Sequence, residues 1–412
     1  MVAKTRASRS ATAGDRDTKR LMVLGAGPAQ VPGIEKAVAG GHHVITVDPY
    51  PDSPGHVRAH HYVNSDTRDQ VGVLAAATEL AIDGICTFRS DVAILSVNHV
   101  REHLRLPGGY PHAAEVMAHK GLFREFQRAS GLPYPKFMHG AESASLYRNA
   151  LSLRPAFYCK PVDNCGSRGM TRIDTDMNHA VLEAAIEHAL TYSRQGSVCL
   201  EERIPGIEVG GDALFEKGEI VFIAITRKYL ANLVVTGHRL PCGLPESATR
   251  LVKEALQSAC EMLGYRDGPL NFDAMVDENV VTIIEMSPRN GGNGITDLIR
   301  QACAVDVERL IIDLALGAKP EPIRPITEGG FGVAILGSAE AGRIGELPTL
   351  SDWQDRCGNT VDVFYGKQEG DKVEPFVHNG NAIGYVVFSC SGPEEFARTT
   401  RELTRIDPFS VS

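Results

Sequence analysis

Two acidic residues, Asp273 and Glu285, sit in the apolar runs LNFDAMV and VVTIIEM, which are joined by Asp277-Glu278-Asn279. A turn centred on Asn279 predicts a hairpin that sets Asp273 directly opposite Glu285 on one face. Like charges opposed across a ladder, with Cβ atoms ~4.5–5.5 Å apart, destabilise a sheet. A divalent cation removes that conflict, and all-oxygen donors suit Mg²⁺ bridging to phosphate, with Mn²⁺ as the alternative ion. A register slip of one residue would instead send one carboxylate to solvent.

Neighbouring stretches add groups of matching chemistry. Ser287-Pro288-Arg289-Asn290-Gly291-Gly292 offers an arginine fork for a carboxylate or phosphate, and glycine amides for an oxyanion. Read alone, it is equally a tight turn. Lys160 precedes Gly166-Ser167-Arg168-Gly169, a point charge and a loop of amide donors able to cradle phosphate, although not a Walker sequence. Read alone, that loop is a glycine-containing hairpin. Glu208, just past the Pro205-Gly206 bend after Glu201, could accept from vicinal hydroxyls or be an exposed acidic turn. The nine cysteines are odd in number and lack a CxxC pair, which suits a reducing compartment and argues against disulfides and structural zinc. Of these, Cys159 and Cys165 flank the glycine loop and are the two to watch as reactive thiols, packing being the favoured reading.

Elements must hold these groups in place. LMVLGAG, HHVITVD and GICTF alternate with helical stretches, which predicts an open parallel α/β unit from residue 20 to about 110. Gly25, Gly27 and Gly33 do not form GxGxxG, so a dinucleotide site with Asp48 on a ribose is not supported. A helix is predicted over 112–130, stopping at Gly131 before Pro133 and Pro135. Short β runs follow at 156–161, 170–173, 197–204, 208–215 and 219–229, with helices at 178–193 and 294–317 and a β-rich last ninety residues. Glycine turns and few apolar anchors make 155–235 a predicted mobile lid. His238, Arg239 and Cys242 read as a surface loop, with lining of a substrate pocket as the alternative.

In their order and spacing, Lys120, Lys160 with its loop, Glu201/Glu202, Glu208, Asp273/Glu285 and Arg289 resemble the ATP-grasp superfamily of carboxylate-amine ligases over about residues 20–320. Residues 1–19, rich in Arg, Ser and Ala without apolar periodicity, read as a disordered tail, a transit peptide being the alternative that Asp15 and Asp17 weaken. The resemblance implies an α/β (in part α+β) fold: an N-terminal parallel-sheet domain (20–112), an ATP-grasp domain (113–325) containing the lid, and a β-rich extension (326–412) completing an antiparallel catalytic sheet. It implies Lys120 and Lys160 on ATP phosphates under Gly166, Ser167, Arg168 and Gly169. Glu201, Glu202 and Ile204 would read adenine, and Glu208 ribose. Asp273, Glu285 and Asn290 would hold the metal, the third place being open between Asn290 and Ser287. Arg289 would hold the acyl phosphate, with Gly291 and Gly292 at the oxyanion. Arg227 or Lys228 would add a cation near the γ-phosphate, or else be a solvated strand end. His119 stands where Asp is common in the family. The implied activity is an ADP-forming ligase joining a small-molecule carboxylate to an amine, with an amino-acid substrate. A carboxylating or formyl-transfer ligase and a non-ligating nucleotide binder are the alternatives, and a homodimer is the assembly to test.

Composition narrows the partners. Lys plus Arg (42) minus Asp plus Glu (51) gives −9 with no basic stripe, which disfavours nucleic acid and anionic membrane. No apolar run approaches the ~18–20 residues of a membrane span, and no secretory apolar core opens the sequence, so a cytoplasmic protein is expected.

Overall fold

The computed structural model describes residues 18–153, 156–174, 179–319, 323 and 329–404. Residues 1–17 of the predicted tail and the predicted boundary at 325/326 lie outside the described residues.

Four parallel strands, β1 (Arg20–Leu24), β2 (His43–Asp48), β3 (His61–Asn64) and β4 (Gly84–Thr87), form a sheet in the order β3-β2-β1-β4. Helices α1 (Val31–Ala39), α2 (Gln70–Glu79) and α3 (Ile94–Leu104) accompany it. Leu21, Met22, Val23 and Leu24 are all fully buried, as a strand covered on both faces requires.

The predicted 112–130 helix is two helices, α4 (Pro111–Ala118) and α5 (Lys120–Ala129). His119 breaks them: its backbone is extended, and its Nδ1 accepts the Leu122 N–H at 3.1 Å. An aspartate caps a helix in this way, so histidine at this position keeps the cap and makes Lys120 the first residue of α5.

A small antiparallel sheet, β5 (Phe137–Gly140), β6 (Phe157–Pro161), β7 (Thr171–Ile173) and β8 (Val198–Glu202), runs in the order β5-β8-β6-β7 beside α6 (Ser143–Ala150) and α7 (His179–Tyr192). The predicted lid span of 155–235 is corrected accordingly. The small sheet begins at Phe137 and ends at Glu202, where the Pro205-Gly206 bend passes the chain to a different sheet.

That sheet has eight strands: β9 (Ile207–Glu216), β10 (Glu219–Ala231), β11 (Val234–Leu240), β12 (Gly268–Asp277), β13 (Val280–Ser287), β14 (Phe331–Leu336), β16 (Thr360–Tyr365) and β18 (Gly384–Ser389). Their order is β13-β12-β9-β10-β11-β14-β18-β16, with a short pair β15 (Gly342–Arg343) and β17 (Lys372–Val373) alongside. β9 and β10 join it because Val209, Ala213, Phe215 and Ile225 pack in one core with Leu270, Phe272 and Ala274 of β12. The predicted surface loop around His238 is instead β11, in which His238 and Arg239 are buried, and Cys242 just beyond is buried too.

Helix α8 (Glu246–Met262) backs this sheet, and α11 (Leu350–Arg356) and α12 (Pro393–Thr404) lie near the end of the chain. The predicted 294–317 helix divides at Ala304, in the left-handed region (φ 53°), into α9 (Ile295–Cys303) and α10 (Val307–Ala315). One core joins Leu21, Val23 and Ile34 of the first unit to Leu298, Ile299, Ile311 and Val333. The expected class, a parallel-sheet unit, a small β-rich unit and a central antiparallel sheet, is the observed one. No helix of the described residues is long and apolar enough to cross a membrane.

Candidate active site

Asp273 pairs with Glu285 as expected, but by an unexpected route. Asp277 pairs with Val280, so the turn is the two residues Glu278 and Asn279, with Glu278 at φ 48°. Continued regularly, that register would put Asp273 opposite Ile284. A bulge between Asp273 and Ala274 absorbs Ile284 and brings the two carboxylates into opposition.

Alternation then lays a polar stripe across five strands. The pairings Asp273–Glu285, Asn271–Asp212, Thr226–Gly210 and Lys228–His238 place Glu285 and Ser287 of β13, Asn271 and Asp273 of β12, Glu208 and Asp212 of β9, Thr226 and Lys228 of β10, and His238 of β11 on one face. Gly210 sits in the stripe as a gap: a Cβ there would lie 2.4 Å from Asp273 Oδ1.

Lys228 is the cation of this face. Its Nζ lies 2.7 Å from Asp273 Oδ2 and 2.8 Å from Glu208 Oε1. Burial raises the Asp273 carboxyl above its usual range; Glu285 and Glu208 push the same way and Lys228 opposes them. Burial disfavours the Lys228 charge, but Asp273 and Glu208 outweigh it and hold the amine protonated. Lys228 is therefore not a solvated strand end. Arg227 points to the opposite face, where it pairs with Val209 and Arg239, and is withdrawn from the expected set.

Glu285 is the more open carboxylate, with Lys120 Nζ 3.8 Å away. Lys120 also donates to the Asn164 carbonyl at 2.5 Å. Among the described residues no group of three His, Cys, Asp or Glu side chains is placed to hold a metal ion, which leaves the two opposed carboxylates as the expected pair. Neither expected third ligand is disposed to join them. Ser287 Oγ donates to Asp91 Oδ1 at 2.7 Å, and the buried Asn290 accepts from Arg89 N and donates to Thr296 Oγ1, both at 3.0 Å.

Arg289 departs most from expectation. Its Nε and Nη2 donate to the two Asp91 oxygens, each at 2.8 Å, and its Nη1 donates to Asn271 Oδ1 at 2.8 Å and the Asn290 carbonyl at 2.9 Å. The fork expected to hold an acyl phosphate is thus filled by Asp91. Burial would raise the Asp91 carboxyl, but Arg289 outweighs it and draws it down to about 2. The Gly291 amide, expected at an oxyanion, is spent on Asp212, 2.8 Å from Oδ1. Burial pushes Asp212 up to about 6 despite donors from Gly291 and Asn271. Gly292 is half-buried, with open space where a Cβ would be.

The small sheet contributes Lys160, whose Nζ lies 2.6 Å from Glu201 Oε2, while Arg124 Nε lies 3.1 Å from Glu201 Oε1. Burial would raise Glu201, but Arg124 and Lys160 together bring it down to about 2. Glu201 is thus committed to these cations rather than turned toward a base. Glu202 accepts the Lys136 N–H at 2.9 Å, and Ile204 is half-buried beyond the end of β8. In the glycine loop Gly166, Ser167 and Gly169 have φ of 66°, 63° and 73°. Ser167 Oγ donates to the Leu233 carbonyl at 2.7 Å, the Asn379 N–H donates to the Gly166 carbonyl at 3.2 Å, and Arg168 donates to the Cys165 carbonyl at 3.2 Å. Burial pushes Cys159 up to about 12 and also raises Cys165, with Asp91 adding to it, so neither is an activated thiol.

A cleft of about 510 Å³ opens between the first unit, α4–α5, the glycine loop and β13. Asp91, Glu115, Lys120, Asn164, Cys165 and Glu285 line it. Sequence reasoning missed Asp91, Asp212 and Asn271. Asp212 and Asn271 carried a usable signal, since each shares the alternation of Glu208 or Asp273 in its own run. Asp91 carried none, and His238, weighed as a pocket residue, was set aside because its strand was read as a loop.

Residues 154–297 match the profile of the ATP-grasp domain. An L-amino acid ligase from Bacillus licheniformis has the same fold, with a TM-score of 0.78, 22% identity and coverage of 94% of this chain and 97% of that one. Carnosine synthase 1 of Mus musculus is 23% identical over 350 residues, covering 76% of this chain and 42% of its own length. An uncharacterised Sinorhizobium fredii protein is 26% identical over 304 residues, covering 71% of this chain and 61% of its own. The chain thus spans less than two-thirds of the length of these curated relatives.

Proposed function

From the ATP-grasp domain matched by residues 154–297 and the fold shared with an ATP-grasp ligase, we propose that the chain is an ATP-dependent, ADP-forming ligase of that superfamily that activates the carboxylate of an amino acid as an acyl phosphate and joins it to an amine. The observation that carries this reading is the opposed Asp273/Glu285 pair on a polar stripe, with Lys228 and Lys120 beside it.

Two facing carboxylates fit a divalent cation, and Asp273 and Glu285 are the residues that would hold Mg²⁺. When bound, Mg²⁺ neutralises phosphate charge and takes its remaining ligands from phosphate and water. Lys120 and Lys160 are assigned to the phosphates, with the 163–169 loop covering them as part of a lid formed by the small sheet. Lys228 compensates Asp273 and Glu208, leaving Glu208 its second oxygen for ribose. The chain between Glu202 and Ile204 passes the adenine. Catalysis of this kind is positioning and charge compensation rather than covalent chemistry by the protein.

A panel of amino acids, singly and in pairs, assayed for ADP and phosphate release tests the proposal. Release of AMP and pyrophosphate would overturn it, and turnover with bicarbonate or formate alone would favour the carboxylating or formyl-transfer alternative.

A further inference from the structure

Arg289 is buried and spent, and what it presents to the cleft is Asp91. We propose that the Asp91 carboxylate binds the ammonium group of the donor amino acid, an inference that rests on the ligase reading above. Of the five N–H groups of Arg289, one on Nε, one on Nη2 and two on Nη1 are engaged, and its side chain is only 9% exposed against 29% for Asp91. An incoming substrate therefore meets an anion at this wall, not a guanidinium.

Asp91 has capacity to spare. Oδ1 accepts from Ser287 Oγ and Arg289 Nε, and Oδ2 accepts from Arg289 Nη2. The Cys165 thiol lies against the same carboxylate. A thiol is a weak donor, so it is the neighbour that an ammonium would displace. Arg289 and Ser287 act as positioning residues that fix the carboxylate's orientation.

The location suits one amino acid. Ser287 follows Glu285 by two residues on the same strand face, a rise of roughly 7 Å. A donor with its carboxylate toward Glu285 and Lys120 would bring its amino group to Asp91. The charge state identifies this substrate as the donor rather than the acceptor. An amine beside a fixed carboxylate is held protonated, and an ammonium has no lone pair with which to attack. The donor's own amine must stay silent in this way, whereas the acceptor's must be neutral. Asp91 thereby decides which amino acid is activated and keeps the bound donor's own amine from acting as the nucleophile.

Hydroxylamine as the sole acceptor isolates the donor step, because every activated donor is trapped as a hydroxamate. The full chain with ATP and Mg²⁺ is offered each amino acid alongside its N-acetyl and des-amino counterparts. Wild-type enzyme is expected to prefer the free amino acid by at least about 30-fold in kcat/KM, the scale of losing one member of a buried charge pair. Asp91→Asn is expected to bring that preference within a few-fold while leaving the KM for ATP unchanged. Equal use of the N-acetyl acid by wild-type enzyme overturns the assignment without calling on a variant that must fold. Retained preference in a folded Asp91→Asn variant overturns it as well. Failure of every amino acid to yield ADP or hydroxamate overturns the ligase reading itself, and with it this one.

Discussion

The ammonium held 2.7 Å from Asp273 and 2.8 Å from Glu208 does for those two side chains what a metal ion would do for Asp273 and Glu285. Removing it leaves two carboxylates in a largely dry stripe, the situation in which breaking a buried pair costs about 3–5 kcal/mol. Lys228→Met is expected to lose that much in urea unfolding, and Lys228→Met with Asp273→Asn should recover part of it. Asp273→Ala, by contrast, leaves Lys228 paired with Glu208; it should abolish ADP release with a much smaller loss of stability. Glu201 has a pH signature. Its carboxyl is drawn from an ordinary 4.5 down to about 2 by Arg124 and Lys160 against the opposing effect of burial. A depressed folded value means the stabilisation is complete above about pH 4.5 and is lost as pH falls toward 2. Glu201→Gln should be less stable than wild type at neutral pH and show a flatter loss of stability through that acid range, as measured by denaturant unfolding at each pH.

Two local breaks carry much of the site's placement, and they mark where the sequence was legible and where it was not. Every strand from Gly84 to Ser287 was anticipated except β5 and β11, because apolar runs bounded by glycine are a direct strand signal. What alternation cannot reveal is a bulge: the extra residue at Ile284 leaves no trace in composition, and the correct pairing of Asp273 with Glu285 came from a turn placed half a residue off. The break at His119 was equally silent, since histidine is not among the preferred capping residues. It yields a direct expectation. His119→Ala should cost about 1 kcal/mol in urea unfolding, the usual worth of a lost helix cap, and His119→Asp should cost nearly nothing. The glycine loop, tied down through Ser167 and Asn379, should gain hydrogen-exchange protection together with 376–381 when an ATP analogue binds. The Val198–Glu202 strand, already paired on both sides, should not change. Unchanged protection at 163–169 would remove the lid assignment.

Across the whole molecule, Arg89 fastens the first unit to the rest. Its backbone N–H reaches Asn290 Oδ1 at 3.0 Å, and its side chain reaches Asp297 at 3.2 Å, Glu308 at 2.7 Å and the Tyr385 hydroxyl at 3.1 Å. Asn290, expected on a metal, is instead the peg of this joint, a role visible only once distant segments are brought together. Arg89→Met removes a buried cation but leaves Glu308 paired with Lys36 at 2.9 Å and Asp297 with Arg300 at 3.0 Å, so in calorimetry and denaturant titration it should lower stability by less than the about 3–5 kcal/mol of a fully stranded buried charge. The clasp between Gly166 and Asn379 has a consequence for how the protein is made. A chain emerging from the ribosome presents its early segments first. Every residue proposed for nucleotide or metal lies before Met286, as does Leu233, which holds Ser167, yet the second group that fastens the glycine loop, the Asn379 N–H, comes almost a hundred residues later. A nascent or prematurely terminated chain would therefore keep the residues proposed to bind nucleotide and the tie from Ser167 to Leu233, but not the tie from Asn379. Translation of the final strands is what supplies this second tie.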